Sequence, residues 1–189
     1  VRAGVVAGFL VGGAWILLFV VSFQAVPLEA GFDAGSHRDY IRGFAEGSGL
    51  PVATDGFSMY HPPLFYALAA IAGGLAESSG LSAGFGWKLI PLASGLGLAA
   101  LGWVLARSIF PRRPGIQVAS AIFSGFLPMN LVVAAYVSNE GLNAFLSAAA
   151  LVVAVDLLLR ERVSIGRLAA FSVFVGLALL TKFTALLVA

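Results

Sequence analysis

The 189-residue sequence contains no cysteine, so it has no disulfide framework, no thiolate metal site and no redox signature of its compartment. Charge is scarce too: Asp, Glu, Lys and Arg make up 11% of the residues, against about 25% in an ordinary soluble domain. With a net charge of +2 and no basic cluster outside short loops, nothing favours nucleic acid as a partner. No internal repeat or low-complexity tract is evident. What fills the chain is apolar: 60% of residues are hydrophobic and the mean hydropathy is +0.98, the composition of an integral membrane protein.

The uncharged runs are long. Gly4–Pro27 has 24 residues without a charge, Leu89–Ala106 has 18 and Pro114–Asn139 has 26, against the roughly 20 that a spanning helix needs. Gly141–Leu159 is broken only by Asp156, and Leu168–Thr181 is followed by Lys182 and another apolar start. The expected architecture is all-α, a polytopic transmembrane helix bundle forming a single domain over 1–189. Its crossings are expected at about 4–26, 87–106, 116–137, 140–159 and 166–181, with a sixth beginning at 183–189. The first run exceeds the core of a cleavable signal peptide and is read as a membrane helix. Because the chain begins at Val1 and stops inside an apolar run, it is expected to be the N-terminal part of a longer protein.

Short loops rich in Lys and Arg stay cytoplasmic. That rule puts Arg2, the Arg107/Arg112/Arg113 loop and the Arg160/Arg162/Arg167 loop on the inner side, with Asp156 and Glu161. An outer loop over 27–86 then holds most of the acids and both histidines. The same parity leaves no crossing for Pro62–Ala76. Its 15 residues would reach only ~22 Å at 1.5 Å per residue, short of a ~30 Å hydrocarbon core. It is expected to lie on the outer surface as one of two juxtamembrane helices.

The other surface helix is signalled by His37, Tyr40, Ile41 and Phe44 at i, i+3, i+4 and i+7, a stripe suited to rest on lipid, with Asp33 or Ser36 as its cap. Gly43, Gly47 and Gly49 weaken and end it, with Pro51 beyond. In His61-Pro62-Pro63, proline suits a first helical turn and pushes the preceding residue to an extended conformation, so His61 is expected at a fixed helix entrance.

These pieces come in a recognisable order: an acid just after the first run, the amphipathic YIRGFAEG segment, the HPPLFY entry, the Asn139-Glu140 pair after the third crossing and Thr181-Lys182 at the end of the fifth. Together they resemble the polyprenyl-phosphate-sugar-dependent membrane glycosyltransferases of fold C, in the branch of protein O-mannosyltransferases and lipid A aminoarabinose transferase. The resemblance covers essentially the whole chain and lies in the order of the pieces. It implies a reaction-centre acid at Asp33, the family's HPP position at His61, its second outer-loop acid at Asn139-Glu140 and its TK lysine at Lys182. Where many relatives carry Asp-Glu, this chain has Asp33-Ala34, so a role that needs two adjacent carboxylates does not carry over.

The residue types can be weighed against the chemistry without the family. Moving a sugar from a lipid phosphate to a hydroxyl needs a base for the acceptor proton and positive charge for the departing phosphate. Asp33 is the candidate base. His37, Arg38, Tyr40, His61, Asn139, Glu140 and Lys182 are the candidate substrate-binding groups, with Arg38, His61 and Lys182 on the phosphate side. A divalent cation such as Mg²⁺ or Mn²⁺, held by Asp33, Glu140 and His61 with phosphate oxygens, stands as an alternative account of the acids.

Each residue also has a structural reading. Asp33 can cap a helix, Glu140 can favour a helix N-terminus, and Lys182 can snorkel as an interfacial anchor. Tyr40 and Trp87 can be interface aromatics, and Asp156 can pair with Arg160 four residues on. The other function classes are a multi-span transporter and a non-catalytic binder of lipid-linked intermediates. A transporter places ionisable groups at mid-membrane, whereas here they crowd one boundary. The expectation is therefore a multi-pass cell-membrane glycosyltransferase with its active face outside the cytoplasm. Its partners are the bilayer, a polyprenyl-phosphate sugar and a hydroxyl acceptor on protein, lipid or glycan.

Overall fold

A computed structural model describes residues 2–159 and 164–187. The described residues form eight α-helices and no strand: α1 Arg2–Ala25, α2 Ala34–Ala45, α3 Leu64–Ser78, α4 Ala83–Ile109, α5 Pro114–Phe126, α6 Pro128–Ala135, α7 Glu140–Leu158 and α8 Ile165–Leu179, followed by a 3-10 turn at Phe183–Leu187. Arg160, Glu161 and Arg162, and with them the expected Asp156–Arg160 pair, lie outside the described residues, as do 188–189.

Two helices, α4 and α7, are long and apolar enough to cross a membrane, and α5 with α6 make a third if the bent pair acts as one span. This points to membrane association with a lower count than the five crossings and sixth start expected from uncharged runs. In α1 the apolar stretch Gly12–Ala25 falls short by length, as do α3 and α8. The expected crossing at 116–137 is not continuous: α5 and α6 meet at 51°. Pro128 is the cause, because it has no N–H to continue α5 and drives Leu127 to φ −55°, ψ 125°. Asn130 Nδ2 donates to the Ser124 carbonyl near the break, the side-chain compensation that a helix interruption in lipid requires. The expected sixth crossing also begins differently, as a 3-10 turn over Phe183–Leu187 rather than an α-helix.

Helix α4 is the hub, with α3, α5, α6 and α7 all packed on it; α8 lies against α7, and α2 against α3. Ser82 and Ser164 cap α4 and α8 by accepting from the backbone N–H of Phe85 and Arg167. Trp15 and Phe19 of α1 stack at 5.3 Å and are buried with Ala134. The Trp15 indole N–H donates to the Gly125 carbonyl at 2.7 Å, which fixes α1 on α5. Asp156 accepts from Arg167 Nε at 2.8 Å and so ties α7 to α8.

Between α1 and α2 the chain turns at Gly31, whose φ of +110° favours glycine. This turn brings α2 onto α3. There the stripe read from sequence is covered by protein rather than lipid: His37, Tyr40 and Ile41 are buried, and Phe44 packs against the same core. Trp87 is likewise buried, with its ring against Gly73 of α3. Tyr40 and Trp87 are thus core residues, not interface aromatics. Periodicity identifies an apolar face, but it does not say what covers that face.

Candidate functional site

The main core cluster joins α2, α3, α4, α7 and α8, and the polar groups singled out from sequence gather on it. Asp33 occupies the N-cap position of α2 but makes no side-chain cap bond. Its Oδ2 instead lies 3.1 Å from His37 Nε2. The imidazole is 1% exposed and the carboxylate 31%. On the other side of the ring, His37 Nδ1 lies 2.8 Å from the Tyr66 hydroxyl.

Aromatic rings hold this group in place. His37 stacks on His61 at 5.8 Å and on Tyr66 at 5.7 Å, with the edge of Phe65 at 6.3 Å. Tyr66 stacks on Tyr40 at 3.7 Å, and Tyr40 Oη donates to the His61 carbonyl at 3.3 Å. The HPPLFY entry does its expected work: α3 starts at Leu64 with Pro63 in the N-cap position, and His61, just before the prolines, is 7% exposed. The Leu64 N–H donates to the Leu180 carbonyl at 2.9 Å, which brings the end of α8 to the start of α3.

That join carries the second half of the site. Lys182 Nζ pairs with Glu140 Oε1, and Asn139 is buried with its Nδ2 donating to the Thr181 carbonyl at 3.3 Å. Asn139 Oδ1 is buried without a partner among the described residues. Lys182 and Glu140 act electrostatically on both imidazoles. Asp33, His37, Tyr40, His61, Asn139, Glu140 and Lys182 therefore form one neighbourhood. Arg38 belongs to its rim, where it pairs with Glu29 at 2.8 Å and reaches the Ala34 carbonyl at 3.3 Å.

Burial controls the proton states. It lowers the pKa of His37, against the raising influence of Asp33. It also lowers His61 to about 4, helped by His37 and Lys182. Both rings are neutral at pH 7. Burial raises the pKa of Tyr66 and of Tyr40, so both phenols keep their protons.

Among the described residues no group of three or more His, Asp or Glu side chains could hold a metal ion. The Asp33, Glu140 and His61 set does not converge as ligands: Glu140 is taken by Lys182 and Asp33 by His37.

Three cavities open between the helices. One of about 400 Å³ lies between α1, α4 and α5, walled by apolar groups including Trp15, Leu96, Trp103 and Phe126. Another of about 650 Å³ lies between α2, α3 and α4 beside Arg42, Glu46, Glu77 and Trp87. A third of about 150 Å³ has Asn130 and Glu140 in its wall. Asp33, His37 and His61 line none of these three.

Sequence reasoning missed two residues. Tyr66 sits inside the quoted HPPLFY run but carries no charge to mark it. Lys88, at the start of the expected 87–106 crossing, is buried and donates to the Phe23 and Val26 carbonyls at the end of α1. Comparison with protein-family models, with curated proteins and with solved structures finds no match for this chain.

Proposed function

We propose that the chain is the catalytic part of a polytopic membrane glycosyltransferase that moves a sugar from a polyprenyl-phosphate donor to a hydroxyl acceptor on the extracytoplasmic side. In this reading α1 and α8 also cross the bilayer, and α2 and α3 lie at its outer boundary. The observation that carries it is the partly exposed Asp33 carboxylate backed by the buried His37 ring, on which Lys182 and Glu140 act electrostatically. Asp33 Oδ1 has no hydrogen-bond partner among the described residues and is left for an acceptor hydroxyl.

The reaction balances with one base. The acceptor oxygen attacks the anomeric carbon as its proton passes to Asp33, the bond from that carbon to the phosphate oxygen breaks, and the polyprenyl phosphate leaves with the electron pair. A phosphate departs as a stable anion, so no second carboxylic acid is required, unlike in glycosidases. Lys182 and Arg38 supply the compensating charge. Both are held by carboxylates in this structure, Glu140 and Glu29, and the donor phosphate takes over those contacts.

The apolar cavity between α1, α4 and α5 favours a second reading, a lipid-linked-intermediate binder without catalysis. The two are separated by assaying the purified chain and Asp33→Asn with a radiolabelled polyprenyl-phosphate sugar, with and without chelator. The enzyme reading expects turnover to fall by about 10²–10⁴-fold with donor binding retained. Unchanged turnover removes Asp33 as the base, and donor binding without turnover in the parent chain favours the binder.

A further inference from the structure

We propose that His37 is a positioning residue: an imidazole protonated at Nε2 that takes its orientation from the Tyr66 hydroxyl and passes it to the Asp33 carboxylate. Its catalytic consequence rests on the transfer reaction proposed above; its proton placement does not.

The assignment follows from which groups can donate. A carboxylate only accepts hydrogen bonds, so in the 3.1 Å contact with Asp33 Oδ2 the hydrogen sits on His37 Nε2. A neutral imidazole then has a bare lone pair on Nδ1, and the group 2.8 Å away is the Tyr66 hydroxyl, which donates. The Tyr66 ring is held in that place, 0% exposed and stacked on Tyr40. The Tyr40 hydroxyl is in turn used on the His61 carbonyl, and the His61 ring stacks back on His37. The contacts close into a loop through α2 and the entry to α3.

Both nitrogens of His37 are occupied and the ring is 1% exposed. It therefore does not touch donor or acceptor, which departs from the substrate-binding role expected from sequence. Its work is done through Asp33: the carboxylate emerges from a bend just before α2 with no cap bond of its own, so His37 is what fixes its direction. A base held in one orientation avoids the loss of about 10²-fold that a misplacement near 1 Å brings.

The chain has only two histidines, which makes a direct test available. In ¹⁵N-histidine-labelled protein in lipid nanodiscs, His61→Gln leaves His37 as the single imidazole. Nitrogen spectra at pH 7 are expected to show one protonated Nε2 and one bare Nδ1, with slow solvent exchange of the Nε2 proton. A protonated Nδ1, an imidazolium, or a free exchange between tautomers overturns the proposal. Tyr66→Phe, with an unchanged helical circular-dichroism spectrum, is expected to speed that exchange at least 10-fold and to lower kcat about 10- to 100-fold with donor KM unchanged. An unchanged exchange rate in Tyr66→Phe overturns the relay from the phenol. His37→Gln, whose amide can still donate to Asp33, is expected to retain more turnover than His37→Ala, and equal losses count against positioning. If the parent chain transfers no sugar, the spectra still decide the proton placement, and only the transfer reading falls.

Discussion

Gly86 of α4 lies directly against the Ala72 carbonyl of α3, so closely that a Cβ at position 86 would overlap that oxygen. Both partners are backbone, and neither can rotate away. Gly86→Ala is expected to cost about 1–3 kcal/mol or more through overpacking, and to part α3 from α4. Gly74, two residues further along α3, has nothing within 4 Å of its would-be Cβ, so Gly74→Ala is expected to stabilise by about 0.5–1 kcal/mol through helix propensity. Thermal melts of the two variants in one detergent check the contrast. Equal shifts in the same direction would remove the close approach as the reason for Gly86.

The second expectation concerns acid. The unfolded chain protonates His61 near 6.5, the folded chain near 4, so between those values the unfolded state binds more protons and stability rises with pH. The stability this residue contributes is complete above pH 6.5 and is lost as pH falls toward about 4. His37, shifted in the same direction by burial, adds to the same slope. The charged groups acting on the pair are Lys182, which lowers both pKa values, and Asp33 and Glu140, which raise them. Melting temperatures measured from pH 7.5 to 4 should fall across this window, and His61→Gln should flatten the fall. A parallel fall in the variant would place the acid sensitivity elsewhere.

How much of this was legible beforehand divides along a physical line. Asp33, His61, Glu140 and Lys182 stand out because a charge or imidazole in a chain this apolar is conspicuous, and their common neighbourhood followed from helices ending on one side. Tyr66 did not stand out, since a phenol among Phe65, Tyr60 and Pro62 carries no local signal; only the fold turns its hydroxyl to His37. Capping was the competing reading of Asp33, and position alone could not separate it from a partner one turn into α2. The α2 stripe was correct as a face and misread as to its cover. The break at Leu127 was visible in Pro128, but an uncharged run of 26 residues conceals a 51° bend, because hydropathy is blind to backbone direction.

Lys182 and Glu140 offer an electrostatic test of how the two halves of the site meet. Lys182 lowers the pKa of His61 and Glu140 raises it. Lys182→Met is therefore expected to raise the His61 titration midpoint toward 6.5, and Glu140→Gln to lower it further. Nitrogen spectra of the labelled protein report both shifts. The ion pair itself, with Glu140 half-exposed, is expected to couple by about 1 kcal/mol or less in a double-mutant cycle. A His61 midpoint indifferent to both substitutions would separate the α7–α8 groups from the histidines and break the site in two.

Lys88 ties α4 to the end of α1, ahead of the turn that leads to Asp33. Its ammonium donates to the Phe23 carbonyl at 2.8 Å and to the Val26 carbonyl, and sits 5.2 Å from the Phe23 ring centre. A cation at this point satisfies carbonyls that the end of α1 leaves open and complements the negative end of the helix. Lys88→Met keeps the apolar stem and removes the donor, and the bonds lost are worth about 1.5–3 kcal/mol for a charged partner. Relief from burying a charge offsets part of that, so a net loss of about 1–2 kcal/mol is expected. The damage should concentrate where α1 hands the chain to Asp33, across Pro27–Phe32. Limited digestion with a glutamate-specific protease should then cut faster at Glu29 in Lys88→Met than in the parent chain, while cutting at Glu77, on α3, stays the same. Equal acceleration at both sites would mean that Lys88 supports the bundle as a whole rather than the approach to the site.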